Sequence, residues 1–122
     1  MKDSYWAKNI PFNIVEIAVK NSLCFGLYDG KKQIGFARVL TDYARFANIH
    51  DVFIVEKYRG EGLGYWLMET ILSHPQLQGM KKWYLATRDA HKFYKKFGFK
   101  QVAHPEKSME ILIIKPYSKK HA

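Results

Sequence analysis

Residues 58–72, YRGEGLGYWLMETIL, place three glycines within five positions and then continue as a mostly apolar run. The apolar side chains of that run recur at helical spacing, at Leu63, Trp66, Leu67 and Ile71. This spacing predicts an α-helix that ends before Pro75. The first amide N–H groups of a helix have no internal acceptors and carry the positive end of the helix dipole. A glycine-rich first turn therefore predicts an anion site that a ligand approaches closely.

Arg59 adds a permanent positive charge beside Gly60, Gly62 and Gly64, and its planar guanidinium suits phosphate oxygens. Together these residues predict a turn shaped for a pyrophosphate; a glycine-rich turn that serves only tight packing is the alternative. The turn is not a P-loop, because no Gly-Lys-Ser/Thr follows. It is not a dinucleotide fingerprint either, because it does not follow the first strand of the chain.

The length and composition predict one globular domain. A chain of 122 residues can build one core but not two ordinary domains. Hydrophobic residues make up 48% and aromatic residues 16%, so large side chains are available to bury. We expect a single domain over residues 1–122, with its core at 23–114 and a flexible tail at 115–122.

The charge and the single cysteine indicate partners and compartment. Twenty Lys and Arg against eleven Asp and Glu leave a net charge of +9, which favours anionic partners. The lysines are scattered in pairs, so we expect each pair to lie at a solvated edge rather than to form a nucleic-acid footprint. This distribution favours a phosphorylated cofactor over a specific nucleic acid as the anionic partner. Cys24 cannot form an internal disulfide, which suits a reducing compartment. No apolar run approaches a membrane span and residues 1–10 lack the apolar centre of a signal peptide, so we expect a cytoplasmic protein without a membrane partner.

The patterns along the chain predict an α/β (α+β) fold with a mixed, mostly antiparallel central sheet flanked by helices. The predicted helices cover about 11–20, the run after the glycines, and a short segment capped by Asp89 and stopped by Gly98. The predicted strands are a hairpin turning at Asp29-Gly30, then 46–55, 81–87, 99–102 and 109–114. Ligands of such sheets bind beyond the carboxyl ends of the strands, and the glycine turn follows one of those ends.

Two segments, one after the other along the chain, resemble motifs of the GNAT acetyltransferase superfamily. Residues 53–64, FIVEKYRGEGLG, are similar to its acyl-CoA motif, and residues 90–99, AHKFYKKFGF, are similar to its Phe-Tyr-x-x-x-Gly-Phe ending. The resemblance covers about 25–102. It implies the GNAT acyl-CoA N-acyltransferase fold in a small, single-domain, bacterial-type member whose N-terminal helical region is shortened.

The resemblance also implies acetyl-CoA as the co-substrate. Its pantetheine arm pairs with the main chain of Phe53, Ile54 and Val55, where the central strand splays from the next. Its pyrophosphate lies on the amides of Arg59, Gly60, Glu61, Gly62, Leu63 and Gly64. Tyr94 matches the family's tyrosine that protonates the departing CoA thiolate. Because a phenol has a pKa near 10 and a thiol one near 8.5, that transfer needs a positioned hydrogen bond.

The implied reaction is transfer of the acetyl group to a primary amine of an unidentified acceptor, by direct attack in a ternary complex. Deprotonating an alkylamine at pH 7 costs about 4 to 5 kcal/mol, so a base is expected to help. Asp51 and His50 are the candidates, and strand alternation predicts that they point to opposite faces. The histidines show no metal-ligand spacing, so we expect no metal.

Several alternatives stay open at this point, for the shape of the cleft and for the function of the turn. The short segment before Leu23 leaves either a wide cleft for a large acceptor, such as a protein amine, or a cleft completed by a second subunit of a homodimer. The same turn would also serve a non-catalytic acyl-CoA-binding sensor or interaction module. A basic nucleic-acid binder is a further alternative, but the chain lacks a recognised reading motif.

Overall fold

The computed structural model describes residues 12–113. Its elements in chain order are α1 (Phe12–Lys20), β1 (Leu23–Asp29), β2 (Lys32–Thr41), β3 (Phe46–Ile54), α2 (Leu63–Leu72), β4 (Lys82–Leu85) and α3 (His91–Lys95). Short 3-10 turns lie at Glu56–Tyr58, Pro75–Leu77 and Pro105–Lys107. The predicted first residue of α1, the end of the last predicted strand and the predicted tail at 115–122 lie outside the described residues.

The four strands form one sheet in the order β1-β2-β3-β4. The first three strands are antiparallel, and β4 runs parallel to β3. The predicted mixed, mostly antiparallel sheet is therefore confirmed. The β1-β2 hairpin is also confirmed, with Asp29 paired to Lys32 and the turn one residue later than predicted, at Gly30 and Lys31. Gly30 has a φ of +62°, which a residue without a β-carbon adopts easily.

One face of the sheet packs against α2. Ala37, Val39, Ala47 and Ile49 form a buried cluster with Leu67, Met68 and Ile71. The predicted helix is confirmed, but its predicted face is wrong at Trp66, which is 56% exposed, whereas Met68 is fully buried. At 100° per residue, the face that meets the sheet is centred on Leu67, Met68 and Ile71, and Trp66 lies outside it.

The other face of the sheet packs against α1. Leu23 and Phe25 pack on the α2 side, so the residue between them points to the opposite face. There the Cys24 thiol donates to the Val19 carbonyl of α1 at 3.6 Å. The sheet is thus covered by helices on both faces, which leaves its strand ends as places for a ligand.

The helix α3 packs beside α2. Phe93 and Phe97 contact the core, and Gly98, the predicted stop, has a φ of +98° just after the helix. The predicted cap at Asp89 is wrong. The Ala90 N–H donates instead to the hydroxyl of Thr87 at 3.1 Å, so a residue two positions earlier organises the start of the helix.

The last two predicted strands are wrong within the described residues. Residues 99–102 and 109–113 are extended or irregular, and neither belongs to the sheet. Their apolar composition suits a strand, but a strand forms only against a neighbour that supplies hydrogen bonds and packing. Residues 109–113 meet no such neighbour among residues 12–113 and are exposed.

Candidate active site

The strands β3 and β4 separate at the carboxyl end of β4. Their last paired residues are Ile49 and Leu85, whereas β3 continues through Ile54. The edge of β3 from residue 50 onward therefore has no partner in β4. Phe53, Ile54 and Val55 lie at the far end of this unpaired stretch, directly before the glycine turn.

The glycine turn uses left-handed backbone twice. Gly60 has a φ of +84°, and Gly62, the N-cap of α2, has a φ of +80°. A β-carbon added at either position would meet nothing within 4 Å. Backbone rotation therefore requires glycine at these two positions, and the space in front of both is open to a ligand.

Gly64 serves a different purpose, because it lies inside the first turn of α2. A β-carbon there would lie 3.5 Å from Cζ of Phe93. The next residue, Tyr65, stacks at 4.7 Å on Phe97 of the segment that follows α3. The two sequence motifs, which are about thirty residues apart, are thus in direct contact.

The first turn of α2 presents its amides outward. The helical hydrogen bonds begin with the Trp66 N–H, which donates to the Gly62 carbonyl at 3.1 Å. By the geometry of a helix, the N–H groups of Leu63, Gly64 and Tyr65 precede the first intrahelical bonds. These amides and the helix dipole give the turn a positive end that suits a phosphate.

Arg59 joins the turn to β3. Its Nε donates to the Ile54 carbonyl at 2.8 Å, while the Val55 N–H donates to the Ile34 carbonyl at 2.7 Å. The Arg59 guanidinium therefore lies over the end of β3, between the proposed main-chain contacts of the pantetheine arm and the glycine turn. Glu61, also proposed as a contact, is exposed in the same turn.

His50 and Asp51 meet on the same side of the sheet because β3 contains a bulge. Between the pairs Arg38–His50 and Phe36–Phe53, two residues of β3 lie opposite Ala37 alone. Asp51 has a φ of +57°, and its carboxylate accepts from Nε of Arg38 at 2.8 Å. The prediction that strand alternation separates His50 and Asp51 is therefore wrong, since a bulge interrupts the alternation.

Arg38 organises this polar cluster, and the sequence analysis missed it. It lies opposite Cys24 on β1 and opposite His50 on β3, and it also donates to the Ser22 hydroxyl at 3.0 Å. The signal in the sequence is one arginine within the otherwise apolar run 34–40. Such a residue requires partners, and they come from two separate segments, one at Ser22 and the other at Asp51.

The surroundings shift two pKa values in this cluster. Burial, and then the positive charge of Arg38, lower the pKa of His50, while Asp51 partly opposes them. Burial is also the main reason that the pKa of the Cys24 thiol is raised. His50 is therefore neutral at pH 7 and able to accept a proton. Cys24, on the other side of Arg38, stays protonated and is a poor nucleophile.

Tyr94 lies on α3 beside a cavity of about 1100 Å³. Its ring contacts Phe93 at 5.1 Å and Phe99 at 6.0 Å between centroids. The same cavity is lined by Leu85 and Thr87, at the carboxyl end of β4. The residues that line this cavity belong to β4, α3 and their flanking segments, and none of them belongs to the glycine turn.

Two features are absent from residues 12–113. No helix there is long and apolar enough to cross a membrane. No three side chains among His, Cys, Asp and Glu come together there as a metal-binding group.

The chain belongs to the GNAT acetyltransferase family, a family of acyltransferases: residues 20–101 match the family model of the acetyltransferase (GNAT) domain. A solved structure of a Xanthomonas campestris pv. campestris protein assigned to the GNAT family is 43% identical, with a TM-score of 0.86 over 92% of this chain and 79% of that one. The resemblance inferred from the two motifs is confirmed.

Two further comparisons give a relative by sequence and a neighbour by fold. A Gibberella zeae relative named as an acetyltransferase is 29% identical, over 79% of this chain and 66% of its own length. An Elizabethkingia anophelis GNAT structure with acetyl-CoA bound is 16% identical, with a TM-score of 0.61 over 74% of this chain and 61% of that one. The chain spans about half to two thirds of the length of the curated relatives it matches.

Proposed function

We propose that this chain transfers the acetyl group of acetyl-CoA to a primary amine by direct attack in a ternary complex. The observation that carries the proposal is the glycine turn at the start of α2, which follows the end of β3 just beyond the point where β3 and β4 separate. Family membership and the acetyl-CoA bound to the Elizabethkingia neighbour support it.

The donor is held by the main chain. The pantetheine arm pairs with the stretch Phe53–Val55, where the β4 side of β3 has no strand partner. The pyrophosphate lies on the amides of residues 59–64, next to the Arg59 guanidinium. These contacts need no special side chain beyond Arg59, because backbone amides and a helix dipole bind the anion.

In the reaction, the amine nitrogen attacks the thioester carbonyl carbon, the C–N bond forms and the C–S bond breaks. Tyr94 gives its phenolic proton to the departing thiolate. The attacking nitrogen loses a proton to His50, directly or through water. We favour His50 over Asp51 because the Asp51 carboxylate already accepts from Arg38 at 2.8 Å, whereas the lowered pKa keeps His50 neutral.

The partners of this reaction are acetyl-CoA and an amine acceptor, which is either a small molecule or a protein amine. We place the enzyme in the cytoplasm, because its single cysteine is a free thiol and suits a reducing compartment.

Donor binding is tested by thermal unfolding with CoA. At 100 times its dissociation constant, a ligand that binds only the native state adds about 2.7 kcal/mol of stability. If Arg59→Gln weakens binding tenfold, the same concentration adds only about 1.4 kcal/mol. Arg45→Gln is the matched control, since Arg45 is exposed in the β2-β3 loop, away from the turn. No shift with CoA or acetyl-CoA in the unchanged chain would contradict the proposal.

Catalysis is tested by release of CoA across a panel of amines. Tyr94→Phe should lower turnover by about a hundredfold to ten-thousandfold while leaving CoA affinity nearly unchanged, because general acid catalysis contributes about 10² to 10⁴. CoA binding without turnover on any amine would instead identify a non-catalytic acyl-CoA sensor.

A further inference from the structure

One hydrogen bond connects the β1-β2 hairpin to the start of the glycine turn. The Tyr58 hydroxyl donates to the Asp29 carboxylate at 2.8 Å, although the two residues are 29 positions apart in the chain. Asp29 is the last residue of β1 and pairs with Lys32 across the hairpin. Tyr58 ends the 3-10 turn that follows β3, and it directly precedes Arg59. The bond therefore connects the tip of a hairpin of the sheet to the residue before the proposed phosphate contacts.

The side chain of Tyr58 is held at its ring as well as at its hydroxyl. The ammonium groups of Lys32 and Lys57 lie 5.9 Å and 5.4 Å from the centroid of that ring. A cation at such a distance is attracted to the electron-rich face of an aromatic ring. The hydrogen bond to Asp29 is the main reason that the pKa of Tyr58 is raised, so the phenol stays protonated at pH 7 and keeps its O–H. The contacts with Asp29 and Lys32 both hold Tyr58 against the hairpin.

The glycine turn depends on such contacts because it has little packing of its own. The 3-10 turn at Glu56–Tyr58 contains no buried residue, and residues 59–62 are all exposed. Gly60 and Gly62 adopt left-handed backbone, and glycine loses more conformational entropy on ordering than any other residue. A segment that becomes ordered only when the ligand binds lowers the affinity, whereas a segment that is ordered beforehand does not. A bond that fixes the start of the turn therefore favours binding of the acetyl donor.

Two side-chain bonds fix the start of the turn against two different strands. Nε of Arg59 donates to the Ile54 carbonyl at 2.8 Å and so binds the guanidinium to the end of β3. Tyr58 reaches the end of β1 instead. We infer that Tyr58 and Asp29 are positioning residues for the acetyl donor, because their hydrogen bond holds Arg59 and the amides of the glycine turn in the arrangement that receives the pyrophosphate. This inference rests on the proposed function, since it concerns the same donor site.

The negative charge of Asp29 distinguishes a positioning role from a purely electrostatic one. A carboxylate near a phosphate site repels the ligand, so its removal would raise the affinity for CoA if charge alone mattered. A positioning role predicts the opposite for Asp29→Ala, because this variant also loses the acceptor of the Tyr58 hydroxyl. Asp29→Asn removes the charge but keeps an oxygen that accepts the bond, so it should bind CoA at least as tightly as the unchanged chain. An Asn variant that binds as weakly as the Ala variant would contradict the role of the bond.

The first test is isothermal titration calorimetry with CoA, which requires neither an acceptor nor turnover. Tyr58→Phe and Asp29→Ala should each raise the dissociation constant about threefold to fivefold, since an exposed polar pair contributes modestly. The double variant should show no larger increase, because either change removes the same bond. Tyr28→Phe is the matched control, since Tyr28 is 59% exposed on β1 next to Asp29, and this variant should bind CoA like the unchanged chain. Unchanged affinity in Tyr58→Phe, or tighter binding by Asp29→Ala, overturns the inference.

The second test measures the turn itself and the step that it serves. In the ligand-free Tyr58→Phe chain, ¹⁵N relaxation should give lower order parameters for the Gly60 and Gly62 amides than in the unchanged chain, with those of the sheet unaltered. With an accepted amine, the same variant should raise KM for acetyl-CoA about threefold to fivefold and leave kcat unchanged. Unchanged order parameters at both glycines, or a fall in kcat as large as the rise in KM, overturns the inference.

The calorimetry also separates this inference from the proposed function. An unchanged chain that binds no CoA would overturn both. An unchanged chain that binds CoA, with Tyr58→Phe binding it equally well, would reject only the positioning role and leave the proposed reaction standing.

Discussion

The ion pair between Arg38 and Asp51 should be a major contributor to stability, and Arg38→Met tests it. The substitution keeps much of the volume of the Arg38 side chain. It removes the hydrogen bond from Nε to Asp51 at 2.8 Å and the hydrogen bond to the Ser22 hydroxyl at 3.0 Å. The two side chains of the pair are only 15% and 21% exposed. Each hydrogen bond to a charged group contributes about 1.5 to 3 kcal/mol, so the two bonds together contribute about 3 to 6 kcal/mol. Because both side chains keep some contact with water, we expect a loss of unfolding free energy near the low end of that range, about 3 kcal/mol.

The assay is urea unfolding followed by tryptophan fluorescence, with four chains in a double-mutant cycle: the unchanged chain, Arg38→Met, Asp51→Asn and both changes together. We expect a coupling energy of about 1 to 3 kcal/mol between the two sites, because the residues are in contact. For a chain of this size, 3 kcal/mol corresponds to a fall in Tm of about 12 °C.

The matched control for this cycle is Arg45→Met, since Arg45 is exposed in the β2-β3 loop, and its effect should stay within about 0.5 kcal/mol. A coupling energy near zero would refute the assignment of Arg38 as the organiser of the bulge. A loss for Arg38→Met no larger than that of the control would refute it as well.

Two further predictions concern the site and the core. Because the folded pKa of His50 lies below its ordinary value of 6.5, only the unfolded chain gains the proton as the pH first falls below 6.5. The unfolding free energy should therefore decrease between about pH 6.5 and 5. Denaturation curves of His50→Gln at several pH values should show a smaller decrease. An equal pH dependence in the variant and the unchanged chain would contradict this prediction. Met68→Ala should lower the free energy of unfolding by about 2 to 5 kcal/mol, because Met68 is fully buried. Trp66→Ala, on the exposed side of α2, should lower it by less. The reverse order would show that a different face of α2 meets the sheet.

The sequence alone determined the local elements and the class of protein. The glycines at 60 and 62 allow the left-handed backbone that the turn adopts, and this freedom is a property of the residue itself. The hairpin near Gly30 and the helix stop at Gly98 follow from the same local chemistry. The two motifs at 53–64 and 90–99 are contiguous, so the resemblance to the GNAT family could be recognised before any contact was known.

Only the tertiary structure decided what forms between segments distant in the chain. Arg38 lies between Cys24 and His50 because three strands align in register, and the bulge that turns Asp51 toward it depends on a one-residue mismatch with β2. The last two predicted strands failed for a related reason, since a strand requires a neighbouring edge as well as suitable residues. Side-chain pattern determines local conformation, but register, cross-strand partners and open edges depend on how the whole sheet assembles.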